Sequence, residues 1–354
     1  MTQETADNTI SRLESRLASL HSDALLNPQR DRLNATDTLL ARLTQETAAL
    51  RARGYCYKGH LEAQLADAAE RWPELRAAAT RTIATQSAAL RPMVARCETA
   101  VRALGPLKSR PLTAVQQAIG RAEGEIEAAE GRVRAAQQAV ESGYGALYGA
   151  LQALEREITG CERMYDLLEG ATFHVESGES LVAATEARLV AGDDRIPGVL
   201  FLTDRRMLFE RREKVARKKI LFITTESELV KEVRWEAVLS DMERIDASEA
   251  RRALVLKRET LAVETRNGSR AQPAEFELST DSDGWRALVL RCQTGEIDGE
   301  RAGGARPVPE YVVPAKCPTC GGAQSRAGRI RGVSSLECEF CGATIALERA
   351  EGEA

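Results

Sequence analysis

Cys317-Pro-Thr-Cys320 and Cys338-Glu-Phe-Cys341 are two C-x-x-C pairs separated by seventeen residues. Each pair makes a tight turn that aims two sulfurs at one point, and two such turns at this separation place four thiolates around a single tetrahedral centre. That donor set suits Zn2+. Gly321 and Gly342 follow the second cysteine of each pair, where the turn needs a residue tolerant of positive φ. Disulfides are disfavoured because the polar start MTQETADNTI carries no export signal. Iron is disfavoured because the aromatic packing around such a centre is missing. Phe340, the only aromatic between Cys317 and Cys341, is too little for a base-stacking platform. With four protein ligands no position stays open for water, so the expectation is one structural zinc ion on Cys317, Cys320, Cys338 and Cys341. Ile330 to Leu336 would supply the strands of a ribbon over 311–350. Arg326, Arg329 and Arg331 add a small basic set to it.

A second chemical feature is charge. Residues 205–219 hold Arg205, Arg206, Arg211, Arg212, Lys214, Arg217, Lys218 and Lys219 against Glu210 and Glu213, a net of six positive charges in fifteen residues. The whole chain of 354 residues carries −4, so the basic character is local. An anion-binding loop is one reading, since basic residues near a charged lipid surface contribute about 1 kcal/mol each. Pairing with nearby acids such as Glu226 or Glu228 is the other. No Walker loop, G-x-S-x-G or H-E-x-x-H occurs. Gly143, Gly145 and Gly149 lack the strand that a phosphate-cradling glycine loop follows. Cys56 and His60 are two ligands, too few for a site. These absences lead to the expectation that the chain is not an enzyme.

The elements that position these residues come from periodicity. Residues 1–168 are rich in Ala, Arg, Glu, Gln and Leu and poor in aromatics, and they read as a helical coiled-coil region. Ile10, Leu13, Leu17 and Leu20 form one face, and Asn27-Pro28 ends it. A second piece covers about 30–52. A third runs from His60 to about Leu104 and is interrupted or bent near Pro73 and Pro92. The spacing over 112–168 predicts one further helix, with a stutter at Ala136, Val140 and Tyr144. The short connector at 105–111 favours an antiparallel partner within the chain, and a parallel homodimer competes with it. No window is long and apolar enough for a membrane span.

Beyond Leu168 the pattern alternates. Ser180–Val190 reads as a strand, followed by a turn at Gly192–Pro197. Val199–Leu202 and Met207–Phe209 then form a hairpin about Thr203–Arg206, with a further apolar run at 220–223 after a loop at 211–219. Strand candidates follow at 229–235, 242–247, 253–257, 260–265 and 274–279. Asp281 or Ser282 caps a closing helix with Trp285, Leu288 and Val289. The stretch GVLFLTDRRMLF, G-x-L-x-L-T-x-R-R-x-L-F from Gly198 to Phe209, resembles the start of GRAM and bacterial pleckstrin-homology-like (PH-like) domains. That resemblance implies a barrel over 172–294, made of seven strands in two near-orthogonal sheets and sealed by a C-terminal helix. Residues 295–310 contain glycines and prolines and almost no large apolar side chain, which reads as a flexible linker.

The fold expected is therefore multidomain α + β: helical stalk, PH-like barrel with a capping helix, linker, and a zinc ribbon built on four cysteines. The function expected is an adaptor in the cytoplasm, docking on a protein partner or on the inner face of a membrane. The alternative is a nucleic-acid-associated factor that uses the ribbon and the 205–219 segment together, for which salt dependence is the discriminator.

Overall fold

The structure is a computed structural model that describes residues 3–106, 112–220, 223–252, 256–266 and 269–350. It is mixed α + β and divides into two compact units, Met1–Glu46 with Glu62–Arg156, and Thr47–Leu61 with Glu157–Ala354.

Five helices account for the N-terminal half: α1 Gln3–Ala24, α2 Asn27–Ala52, α3 His60–Arg102, α4 Leu112–Ser142 and α5 Gly145–Glu169. Within the first unit Asp37 accepts from Arg76 at 2.9 Å, and His21 meets Glu98. α3 therefore runs antiparallel to α1 and α2. Arg16 meets Glu130 at 2.9 Å, Arg32 meets Glu141 at 3.1 Å, and further along Arg42 of α2 meets Glu155 of α5, so α4 and α5 run parallel to α1 and α2. The result is a three-rod bundle whose core includes Leu13, Leu43, Val115, Ile126 and Leu151. Each of these sits on the apolar stripe of its helix, because a three-rod bundle buries one stripe per rod. Two differences from the periodicity stand out. The helix expected over 112–168 breaks at Gly143–Tyr144, where the stutter falls: a four-four step rotates the stripe out of register, and a two-residue turn resets it. The helix over His60–Arg102 is not interrupted at Pro73 or Pro92, which both lie inside α3. The connector residues 107–111 lie outside the described residues.

In the second unit seven antiparallel strands form one sheet: β1 Leu181–Ala191, β2 Asp194–Thr203, β3 Arg206–Ile220, β4 Ile223–Val238, β5 Met242–Arg252, β6 Leu256–Thr265 and β7 Ala274–Leu278. Their order is β4-β3-β2-β1-β7-β6-β5. The barrel of two sheets is corrected here. β1 pairs with both β2 and β7, with Ala187 opposite Gly198 on one side and Leu278 on the other, which joins everything into a single sheet. After β4 the chain bends through a 3-10 turn, Leu239–Asp241, and crosses to the far edge. β4 and β5 are therefore opposite edges with no ladder between them among the described residues, and no closed barrel forms there. The sheet is nonetheless strongly curled, as Trp235 of β4 packs edge-on against Phe276 of β7 with ring centroids 5.1 Å apart. Phe209 of β3 lies 5.7 Å from the same ring. Gly198 permits the curl, since a Cβ there would fall 2.1 Å from the Glu210 carbonyl oxygen.

The hairpin read from Val199 to Phe209 is the β2–β3 turn. Residues 211–219, read as a loop, continue β3 and pair with β4, with Arg211 opposite Glu232 and Lys214 opposite Leu229. Charged side chains do not prevent a strand when a long partner strand satisfies the backbone. Residues 221–222 of the expected third run, and 253–255 of the expected strand 253–257, lie outside the described residues. The closing helix α6, Ser282–Thr294, starts where Asp281 accepts from the N–H groups of Asp283 and Gly284, and buries Trp285 and Val289.

The chain then leaves α6 through Gly295 at φ 81° into a 3-10 turn, Glu296–Glu300, whose Ile297 is fully buried. A ribbon of short strands follows: β8 Glu310–Val313, β9 Gly328–Arg331, β10 Ser335–Glu337, β11 Thr344–Ala346 and β12 Glu348–Arg349. Its core is small: Val313, Ile330, Ile345 and Leu347 with Cys317 and Cys338. No helix among the described residues is long and apolar enough to cross a membrane.

Candidate metal centre

The two cysteine turns fold alike because their sequences are alike. In each, the first cysteine's carbonyl accepts from the glycine after the second, Gly321 to Cys317 and Gly342 to Cys338, both at 2.9 Å. Those glycines adopt φ 72° and 70°, the left-handed region where a side chain is disfavoured. The first cysteine's own N–H closes the turn on Gly322 O at 2.8 Å or Ala343 O at 2.9 Å. Backbone N–H groups then point at sulfur: Thr319 N donates to Cys317 Sγ and Phe340 N to Cys338 Sγ, both at 3.4 Å. Gln324 Nε2 donates to Cys338 Sγ at 3.5 Å.

The four sulfurs lie within 4.8 Å of one another. Cys317 and Cys341 are separated by 3.9 Å and Cys320 and Cys338 by 3.6 Å, close to the roughly 3.8 Å edge of a tetrahedron built on Zn–S bonds of about 2.3 Å. The N–H donors of Cys341 and Phe340 hold the Cys338 thiol down at about 6. Cys317 is also lowered, first by the Cys320 N–H. The Gly322 N–H works to lower Cys320, but contacts with Cys341 and the other sulfurs push it up to about 12. A divalent cation would displace the remaining protons. The four residues fit a metal, and all four are among those expected from sequence. Beside them Phe340 lies over Gly322, where a Cβ would fall 2.6 Å from its ring, and is 68% exposed.

The basic set behaves differently. Arg206 is bound by Glu179 at 2.8 Å and Glu236 at 2.7 Å. Arg212 pairs with Glu210 at 2.6 Å, and Arg211 with Glu213 at 2.6 Å. The last two pairs are two residues apart on one strand, hence on one face, and the run Glu210-Arg211-Arg212-Glu213 was their signal. Arg205 donates to Gly178 O at 2.8 Å, and Lys214 is exposed. The side chains of Arg217, Lys218 and Lys219 lie outside the described residues.

Glu179 gives a testable consequence. Its carboxylate is fully buried and also accepts from Thr203 Oγ1 at 2.6 Å and Glu176 N at 2.7 Å. Burial opposes ionisation, but Arg206, Thr203 and the Glu176 N–H outweigh it and hold the carboxyl below its ordinary value. Its stabilising contribution is present above the unfolded-state value near 4.5, and fades as pH falls through the lower folded value. Glu179→Gln is expected to cost about 3 kcal/mol at pH 7 and less at pH 3, read from urea midpoints at both. An equal loss at both pH values would refute the assignment.

Sequence reasoning missed a buried polar hub. Asp204, in the β2–β3 turn, accepts from Tyr57 Oη at 2.9 Å, Arg301 Nη2 at 2.6 Å and Ser180 N at 3.0 Å. Arg301 also donates to Asp298 at 2.6 Å and lies 4.8 Å over the Tyr57 ring. Gly59 N bonds to Glu300 O, and Ala302 N to Cys56 O. The segment 295–310, read as a linker, thus contributes a buried arginine and two backbone bonds to the 56–59 turn. Gly295 leaves no room for a Cβ because Arg331 of β9 fills the space, its Nη1 2.5 Å from where one would be.

No protein-family model matches the chain, and no curated protein does. Solved structures similar to it include the C-terminal domain of an unknown protein from Leishmania infantum, at 14% identity and TM-score 0.22, covering 33% of this chain and 86% of that one. Human RhoA in complex with the DH/PH fragment of PDZRHOGEF aligns at 13% and 0.26, covering 82% and 95%. A structure of Vav1 with an allosteric inhibitor that blocks its GEF activity aligns at 10% and 0.28, covering 97% of each chain. The expectation that the chain is not an enzyme is withdrawn on these neighbours, since one is described by its GEF activity. At such low scores the likenesses transfer no activity, substrate or partner.

Proposed function

We propose that this chain is a docking protein whose second unit is a PH-like roll clamped to a ribbon that holds one structural Zn2+. The observation that carries the reading is the closed set of four cysteine sulfurs within 4.8 Å. A four-thiolate site leaves no ligand position for substrate, so the ion supports shape. The PH-like assignment is supported by seven antiparallel strands followed by a helix that buries a tryptophan. A protein partner is favoured over an anionic membrane, because Arg205, Arg206, Arg211 and Arg212 already have acceptors within the fold. The exposed ring of Phe340, fixed over Gly322 at the ribbon tip, has the character of an aromatic anchor. The cytoplasm, where four thiols stay reduced for metal, is the compartment this reading requires.

The test is affinity capture by the zinc-loaded chain, comparing wild type with Phe340→Ser and with Leu25→Ser as a surface control. The expected result is a partner retained by wild type and Leu25→Ser and lost by Phe340→Ser. Flotation on anionic liposomes at about 0.15 M salt, with no protein captured, would replace the reading with membrane docking.

A further inference from the structure

A cavity of about 490 Å3 opens in the second unit between the end of the sheet and the ribbon. Four arginines line it: Arg266, just beyond β6, and Arg326, Arg329 and Arg331 from the segment between the two cysteine pairs. Ser240, in the turn between β4 and β5, lines it too. The three ribbon arginines, a bare basic set in the sequence, are therefore aimed at one space together with a fourth that no motif connects to them.

Their nearest acids use only part of what they offer. Arg326 meets Asp241 at 2.6 Å, Arg331 meets Asp298 at 2.5 Å, and Arg329 reaches Glu310 only at 3.5 Å. A guanidinium carries five N–H donors in a planar fork. Arg331 Nε and Nη2 are buried without an aligned hydrogen bond, the close approach to Asp298 notwithstanding, and so is Ser240 Oγ. Asp204, the acid deepest in the lining, is committed to Tyr57, Arg301 and Ser180. Glu243 is exposed. Arg266 has no carboxylate partner among the described residues. One acceptor beside the cleft, Asp241 Oδ1, is likewise buried without an aligned hydrogen bond, but it already lies against Arg326 at 2.6 Å, so the four arginines still bring more N–H donors to the cleft than its carboxylates take up. Planar forks presenting parallel N–H groups match a tetrahedral oxyanion, which accepts several at once.

We propose that this cleft binds a phosphate group, either free phosphate or the headgroup of a small organic phosphate monoester. The volume exceeds that of phosphate alone and falls within the range of small-molecule sites. The inference does not rest on the docking reading. It would stand if the ribbon tip bound nothing.

The experiment is isothermal titration of the full, metal-containing chain with inorganic phosphate and, separately, with phenyl phosphate, in chloride of matched ionic strength. One site with a Kd at or below about 1 mM is expected, tighter for phenyl phosphate if the natural ligand is an ester and equal if it is the free ion. Arg266→Gln and Arg329→Gln are exposed changes that leave the Arg326 and Arg331 anchors in place. Each is expected to weaken binding about tenfold, while Arg244→Gln, outside the lining, leaves it unchanged. No binding of either probe, or equal binding by wild type and an R266Q/R329Q double variant, would overturn the proposal and leave the donors to water.

Discussion

Removal of the metal is expected to unfold residues 310–349 as a unit. The ribbon's apolar core is four buried side chains beyond its two buried cysteines, with Tyr311, Val333 and Leu336 only partly buried against them, far less than a segment of that length needs to offset its chain entropy. Structural zinc supplies on the order of 10–16 kcal/mol of binding free energy in comparable small sites, so the proposed ion would supply most of what folds the ribbon. The purified chain should carry one zinc per molecule by elemental analysis. Cobalt exchanged into it should show the thiolate charge-transfer band and the d–d pattern of a tetrahedral site. Chelation, or Cys338→Ser, should abolish amide-exchange protection at Gly321, Gly342 and Ile330. The loss should spread to Asp241 and Asp298, which would lose Arg326 and Arg331 as partners. Protection in α4, whose core is built from Val115, Ile126 and Val133, should persist. A metal-free preparation with an intact ribbon would refute the assignment.

That this centre could be read in advance, and the hub could not, has a physical cause. A C-x-x-C turn is local: its glycine, its carbonyl and its sulfur lie within five residues, so spacing carries the geometry. The hairpin from Val199 to Phe209 is local in the same sense. The break at Gly143–Tyr144 was visible as a stutter, although periodicity could not say whether the helix would bend or stop. Other features depend on residues that meet only after folding. Whether a seven-stranded roll closes depends on where the chain goes after Val238, and nothing in the 3-10 turn at Leu239–Asp241 states that it crosses to the opposite edge. The 211–219 run looked like a loop because charge was counted without the partner strand that satisfies its backbone. Asp204 sits in a tight turn, where an aspartate is ordinary. Arg301 sits among glycines, and Tyr57 between two helices. No window of sequence contains two of the three.

Breaking that hub is expected to be the most damaging single polar change in the second unit. The Asp204 carboxylate is fully buried and the Arg301 side chain is 7% exposed, so truncating one partner leaves the other ionised in a dry site. Such a loss costs about 3–5 kcal/mol, or roughly 6–20 °C in melting temperature for a unit of this size. Arg301→Met should lie at the upper end, because it strands Asp204 and half-strands Asp298, which keeps Arg331. Asp204→Asn should cost less, since an amide oxygen can still accept from Tyr57 or Ser180. Tyr57→Phe removes one hydroxyl from a carboxylate that keeps two other donors, and about 1–2 kcal/mol is expected. The double variant D204N/R301M separates pairing from packing. If the two groups act as a pair, its cost falls below the sum of the single changes by about 1–3 kcal/mol. Additive costs would mean that each side chain is held independently. The 56–59 turn and the 296–302 segment would then be joined by their backbone bonds, Gly59 N to Glu300 O and Ala302 N to Cys56 O, rather than by the charge between them.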